Sequence, residues 1–245
     1  MNIAVILAGG SGIRLGNKTA KQFVEIFDKP VIAYTAEVFQ KHNEIDAIEI
    51  VCNPDYINVL ENIVQKYKLN KVKWITNGGA DFQHSVMNGI FNLENYVNDD
   101  DIVLVHYAVS PFVNEEIISD AIKVTKEKGN AASATPCFLL MGTNDADKSL
   151  KWVDRDKLMQ LNSPQSFKYK YVKDLYLRAQ KEDILSKVEP HTTSLMFYMG
   201  ETVYFSKGNQ TNIKITTKED LELLKAYALL KKYNESSAQD KVKIH

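Results

Sequence analysis

The sequence predicts an α/β domain with a mostly parallel sheet, and three observations carry that expectation. Short runs rich in Ile and Val recur at residues 3–7, 47–52, 71–76 and 102–105, the pattern of strands buried on both faces. Segments with helical spacing lie between them, which implies βαβ units with right-handed crossovers. The chain has 245 residues, 44% of them hydrophobic and 25% charged, enough for one sizeable core and too apolar for general disorder.

Each element has a local reason. In residues 55–67, Ile57, Leu60, Ile63, Val64 and Tyr67 share one helical face. In residues 114–128, Ile117, Ile118, Ala121, Ile122 and Val124 form a stripe that Gly129 should stop. Residues 137–157 break the rhythm: they are polar, with little to bury, and so long an irregular connection points to a projecting arm. The pattern resumes with a helix expected at 171–181 and strands at 203–205 and 212–215. A last helix should be opened by the capping box Thr216-x-x-Glu219 and carry the stripe Leu221, Leu224, Tyr227 and Ala228. One domain is expected over residues 1–233, followed by a disordered polar tail at 234–245.

Thirty Lys and Arg against 31 Asp and Glu give a formal charge of −1. Nothing global draws this chain to nucleic acid or to a membrane surface, so bound phosphate must meet a local site. Cys52 and Cys137 belong to no CxxC pair, which excludes a disulfide framework and a cysteine zinc site. The short apolar start has neither the length of a span nor the flanks of a signal peptide, and the expected location is the cytoplasm.

The strongest local signal is Leu7-Ala8-Gly9-Gly10-Ser11-Gly12-Ile13-Arg14, directly after the first strand. Glycines let backbone N–H groups approach a ligand closely, and successive N–H groups form a concavity suited to phosphate oxygens. Arg14 and Lys21 add cations just downstream. The plain alternative is a glycine-rich turn with solvated charges. Leu15 stands where the dinucleotide fingerprint needs glycine, and no Gly-Lys-Ser/Thr follows as a P-loop would require.

Ala8-Gly-Gly-x-Gly-x-Arg14 with Lys21-Gln22 resembles the signature of the methylerythritol-phosphate and ribitol-5-phosphate cytidylyltransferase family. Four further blocks follow in the family's order: Gly78-Gly79 with Ser85-Val86-x-Asn88-Gly89, Val105-His106-x-Ala108-x-x-Pro111-Phe112, Ser163-Pro-Gln-x-Phe167, and Asn212-Ile-Lys214-Ile-Thr216. The resemblance implies a three-layer Rossmann-like nucleotidyltransferase fold with CTP at the C-terminal ends of the first strands. It implies that Ala8, Gly9, Gly10, Ser11 and Gly12 wrap the triphosphate and that Gly79, Ser85 and Ala108 hold cytosine and ribose. Arg14, Lys21 and Lys214 would be the catalytic cations, with Mg²⁺ held mainly by the CTP phosphates and no dedicated metal-ligand set in the chain. The arm would pair with a second subunit to give a homodimer.

The departures lie on the acceptor side. The family's His-Asp-x-x-Arg-Pro reads His106-Tyr107-Ala-Val-Ser110-Pro111 here. Phe82 and His84 replace an Arg and an Asp, Leu139-Leu140 stand where Asp-Thr is usual, Thr192-Thr193 replace Thr-Asp, and Ala20 replaces a proline. Arg155, Ser163, Thr192, Ser110 and Tyr107 remain as acceptor-side candidates. His106, alone at a strand end, reads as a core histidine. Three readings follow: a cytidylyltransferase acting on a small ribitol- or glycerol-type phosphate, a methylerythritol-phosphate enzyme, or a degenerate homologue that binds nucleotide without turnover.

Overall fold

In the computed structural model, which describes residues 1–10 and 19–242, β1 (Asn2–Ala8) leads to a small ladder of β2 (Glu25–Ile26) and β3 (Lys29–Pro30), then α1 (Val31–Lys41). There follow β4 (Ala47–Cys52), α2 (Ile57–Lys66), β5 (Val72–Asn77), α3 (Phe82–Asn92), β6 (Ile102–Tyr107), α4 (Glu115–Lys128) and β7 (Asn130–Pro136). The arm holds β8 (Met141–Gly142) and β9 (Trp152–Val153). The chain ends with β10 (Met159–Lys168), α5 (Tyr169–Lys181), α6 (Thr192–Tyr198), β11 (Phe205–Lys207) and α7 (Lys218–Val242).

Seven strands form one sheet in the order β11-β7-β10-β6-β1-β4-β5. Every pairing is parallel except those of β10, which runs antiparallel between β6 and β7. β1 lies inside the sheet and divides its side chains between two cores. Ile3, Val5 and Leu7 join Val86 and Ile90 of α3 and Tyr176 of α5. Ala4, Ile6 and Ala8 join Ile32 and Phe39 of α1, Leu60 of α2 and Ile118 of α4. Each fully buried Leu or Ile is worth about 1.5–3 kcal/mol, so a continuous apolar run here stabilises both layers at once. The α/β class and the mostly parallel sheet are as the sequence predicts.

Caps set the helices in place. Asn114 accepts a hydrogen bond from Ile117 N at 3.0 Å and opens α4, which Gly129 closes in the left-handed region at φ 90°. Asp81 does the same for α3, accepting from His84 N at 2.9 Å.

Four expectations are corrected. Residues 212–215 are not a strand; Asn212 is instead held by hydrogen bonds to Asn209 Oδ1 and to Ser163 O. The box opening α7 lies one residue on: Thr217 Oγ1 accepts from Asp220 N, and Asp220 Oδ2 accepts from the Thr216 and Thr217 amides. That helix runs on to Val242, past Tyr233, because the polar stretch contains no glycine or proline to stop it. The arm is not poor in apolar surface. Phe138, Leu139, Leu140, Met141, Leu150 and Trp152 are all exposed on it, in a consecutive run and two outliers that follow neither helical nor strand period. No helix among the described residues is long and apolar enough to cross a membrane.

Candidate active site

The C-terminal ends of β1, β4, β5 and β6 open into a cavity of about 770 Å³. One side is made of backbone. Ala8, Gly9 and Gly10 leave β1, and buried Gln22 clamps them by donating from Nε2 to Ala8 O and Gly10 O, each at 2.8 Å. Gly78 N donates to Cys52 O at the end of β4. Ser85 Oγ on α3 accepts from Gly79 N at 3.0 Å and donates to Asp81 O at 2.8 Å, tying the 78–81 loop to its helix. Gly79 is required by this approach, because a Cβ there would lie 2.4 Å from His84 Cβ and 2.6 Å from the His84 carbonyl carbon.

The other side is made of side chains. Lys214 Nζ lies over the Tyr107 ring, 4.2 Å from its centroid. The Tyr107 phenol bonds to His191 Nδ1, and the Phe82 and His191 rings lie with centroids 5.8 Å from that of Tyr107. Burial pushes the Tyr107 phenol well up, so it stays protonated. Burial, then the nearby Lys214 charge, lowers His191, with Glu189 opposing. Lys21 Nζ donates to Ile215 O at 3.4 Å, which brings the second lysine beside the Lys214 segment.

Thus Ala8, Gly9, Gly10, Lys21, Gly79, Ser85, Tyr107 and Lys214 line one cavity although they span more than two hundred residues of sequence. Ser11, Gly12 and Arg14 lie outside the described residues. Ala108 is buried behind the lining, its N–H bonded to Leu7 O and its carbonyl accepting from Thr35 Oγ1 at 2.8 Å. Ser110 is fully buried, with its carbonyl facing His106 Nε2 at 2.9 Å; it does not line the cavity. Ser163 is buried next to a strand irregularity and Thr192 bonds to Tyr176 Oη at 3.1 Å, so neither hydroxyl lines it. Arg155 stands exposed on the arm, donating to Phe138 O at 2.6 Å.

Sequence reasoning gave no site role to Gln22, His191, Asn53 or Thr216, although Gln22, Asn53 and Thr216 line the cavity. Gln22 follows Lys21 directly in its block, and that adjacency was the available signal. His191 had none, since it reaches the site only through the fold.

The donor set limits how a metal could bind. Asp81 is the one carboxylate among the described lining residues, and its Oδ1 already accepts from His84 N and pairs with His84 Nδ1. Burial raises that carboxyl, but the bonds from His84 outweigh it and hold it below the usual range. Among the described residues no group of three His, Cys, Asp or Glu could hold a metal ion. A cation in this cavity would therefore meet Asp81 as the one carboxylate of the described lining.

Comparison with known proteins agrees with this geometry. Residues 2–231 match the family of 2-C-methyl-D-erythritol 4-phosphate cytidylyltransferases (IspD). A ribitol-5-phosphate cytidylyltransferase of Lacticaseibacillus paracasei is 36% identical over 228 residues, covering 93% of this chain and 97% of that protein. A 2-C-methyl-D-erythritol 4-phosphate cytidylyltransferase of Clostridium acetobutylicum is 40% identical over 234 residues, covering 95% and 98%. The crystal structure of 4-diphosphocytidyl-2C-methyl-D-erythritol synthase from Anaerococcus prevotii superposes with a TM-score of 0.77 at 24% identity, covering 94% of this chain and 96% of that one. The fold is the Rossmann-like nucleotidyltransferase fold, and the chain belongs to the IspD family of cytidylyltransferases, a class of nucleotidyltransferase enzymes.

Proposed function

We propose that this chain transfers CMP from CTP to the phosphate of a small polyol phosphate of ribitol or glycerol type, releasing pyrophosphate. The observation that carries the reading is the assembly of glycine backbone, Lys21 and Lys214 around one cavity in a chain 36% identical to a ribitol-5-phosphate cytidylyltransferase. In this reading the 8–12 loop and Arg14 take the triphosphate, and Gly79, Ser85 and Ala108 form the base and ribose side. Lys21 and Lys214 neutralise charge as the acceptor oxygen attacks the α-phosphorus and the pyrophosphate oxygen departs in line. Such a transfer asks little covalent work of the protein, so positioning and charge dominate. Mg²⁺, held mainly by the CTP phosphates, would add further charge neutralisation.

The arm supports a homodimer, since its exposed Phe138, Leu139, Leu140 and Trp152 are apolar surface that a second subunit would cover. Arg155 on that arm would then border the partner's acceptor site and grip the acceptor phosphate. The product would feed synthesis of a cell-surface polymer such as teichoic acid or capsule, and the enzyme would work in the cytoplasm, where CTP is made.

A second reading, methylerythritol phosphate as acceptor, has the 40% identical Clostridium relative in its favour. Against it stand Tyr107, a bulky ring lining the cavity, and Ser110, buried and unable to offer a bidentate phosphate grip. Pyrophosphate release from CTP, measured across ribitol 5-phosphate, glycerol 3-phosphate and methylerythritol phosphate, separates the readings. Turnover of a ribitol or glycerol phosphate is the expected result. Preference for methylerythritol phosphate would establish the second reading, and CTP binding without release on any acceptor would mark a degenerate homologue.

A further inference from the structure

We propose that Tyr107, braced by His191, is a positioning residue that holds the Lys214 ammonium ready for phosphate before the nucleotide arrives. The inference rests on the reading of Lys214 as a phosphate-side cation. A lysine head on a flexible four-carbon stem has rotamer freedom that binding must otherwise remove. An aromatic face confines such a head by its quadrupole and adds no anionic charge that would repel an incoming triphosphate. Here the head is 4.2 Å from the ring centroid, and both residues line the same cavity.

The ring itself is fixed from behind. Its hydroxyl is hydrogen-bonded to His191 Nδ1. His191 is fixed in turn, because buried Gln83 donates from Nε2 to both Glu189 O and His191 O at 2.9 Å. Gln83 Oε1 accepts from the fully buried Tyr176 hydroxyl at 2.7 Å. An unbroken series of hydrogen bonds therefore runs from the α5 core to the ring that carries Lys214.

The test is the CTP dissociation constant, measured by calorimetry with Mg²⁺ for the wild type, Tyr107→Phe, Tyr107→Leu and Lys214→Ala. Tyr107→Leu removes the ring face and should weaken CTP by about tenfold, whereas Tyr107→Phe keeps the face, loses only the bond to His191 and should cost no more than about threefold. Equal losses in the two Tyr107 variants, or none in either, would overturn the proposal. An unchanged affinity in Lys214→Ala would instead remove the reading on which it rests. If Tyr107→Leu fails to fold, the wild type still decides by NMR. The Lys214 ε-methylene protons should lie upfield of an ordinary lysine through the ring current of Tyr107, and an ordinary position would overturn the proposal.

Discussion

The two sides of the cavity are built by different means. The side we assign to the nucleotide is backbone, held by side chains that reach back to it: Gln22 onto Ala8 and Gly10, Ser85 onto Gly79 and Asp81. The side we assign to the acceptor is a set of side chains, Tyr107, Phe82, His191 and Lys214, packed on one another. A backbone wall depends on glycine and on close approach, so it tolerates few substitutions. A side-chain wall can be relined while the sheet beneath it stays the same, which is how one scaffold can serve different acceptors. Two of the departures from the family pattern, Tyr107 and Phe82, fall on that second wall.

The largest effect should come from the cations assigned to the phosphates. Lys21→Ala, Lys214→Ala and Arg14→Ala should each lower turnover by about 10²–10³ with the fold intact, the usual cost of removing one oriented charge-stabilising group. Pyrophosphate release with CTP and the working acceptor measures this, alongside a thermal melt. Near wild-type rates in Lys21→Ala and Arg14→Ala together would show that these charges do not drive the chemistry.

Next in size is a contrast between the strands under the two walls. Glu49 on β4 lies buried beneath α3, accepting from Thr76 Oγ1 at 2.5 Å and Asn92 Nδ2 at 2.9 Å, and burial pushes its carboxyl up to about 7. His106 on β6 lies buried against Phe39 on the opposite face and holds the Ser110 carbonyl; burial lowers it to about 4. A raised carboxyl contributes stability below its unfolded pKa and loses it as pH climbs toward 7. A depressed histidine contributes above about 6.5 and loses stability as pH falls toward 4. Between roughly pH 4.5 and 6.5 the two slopes oppose and nearly cancel in the wild type. Glu49→Gln should expose the histidine's slope, a loss of about 3 kcal/mol from pH 6.5 to 4, in denaturant titrations. A variant as flat as the wild type would show that His106 does not titrate on unfolding.

Gly79→Ala tests the backbone wall itself. The added methyl would sit 2.4 Å from His84 Cβ, so the loop or the start of α3 must move. Overpacking of this kind costs about 1–3 kcal/mol and should weaken CTP more than the acceptor. An equal loss for both substrates would mean that the two walls do not move independently.

How much of this was legible beforehand follows the same division. β1, β4, β5 and β6 were readable because their Ile and Val runs are local, and the glycine loops because backbone approach leaves a compositional mark. β7 was not: Asn130-Ala-Ala-Ser-Ala-Thr-Pro136 is a buried strand of small residues with no β-branched run to announce it. β10, Met159–Lys168, is disguised by its polar residues and a proline. The wall of side chains was hardest, since His191 and Lys214 meet Tyr107 across 84 and 107 residues of chain. No local period records such a meeting. The arm was misjudged for another reason: its polar stretch hid the apolar residues within it, and only the fold shows that no described residue of this chain covers Phe138, Leu140 or Trp152.

The smallest expected effect concerns Arg155, which we assign to the acceptor although it lies outside the cavity lining. Arg155 follows β9 at the base of the arm, is exposed, and donates to Phe138 O, so within one chain its guanidinium supports the arm's own backbone. If the arm borders a partner's site, that guanidinium is placed to exchange a carbonyl for an acceptor phosphate, a bidentate charge-assisted contact. Losing such a bond costs about 1.5–3 kcal/mol, part of which the surrounding water returns at an exposed position. Arg155→Ala should therefore raise the acceptor's KM by about tenfold and leave the KM for CTP nearly unchanged. Sedimentation of the same variant should still show the wild-type oligomer, because the apolar residues of the arm remain. A matching rise in both KM values would move Arg155 to the nucleotide wall, and a monomeric variant would make it a support of the arm rather than a ligand of the acceptor.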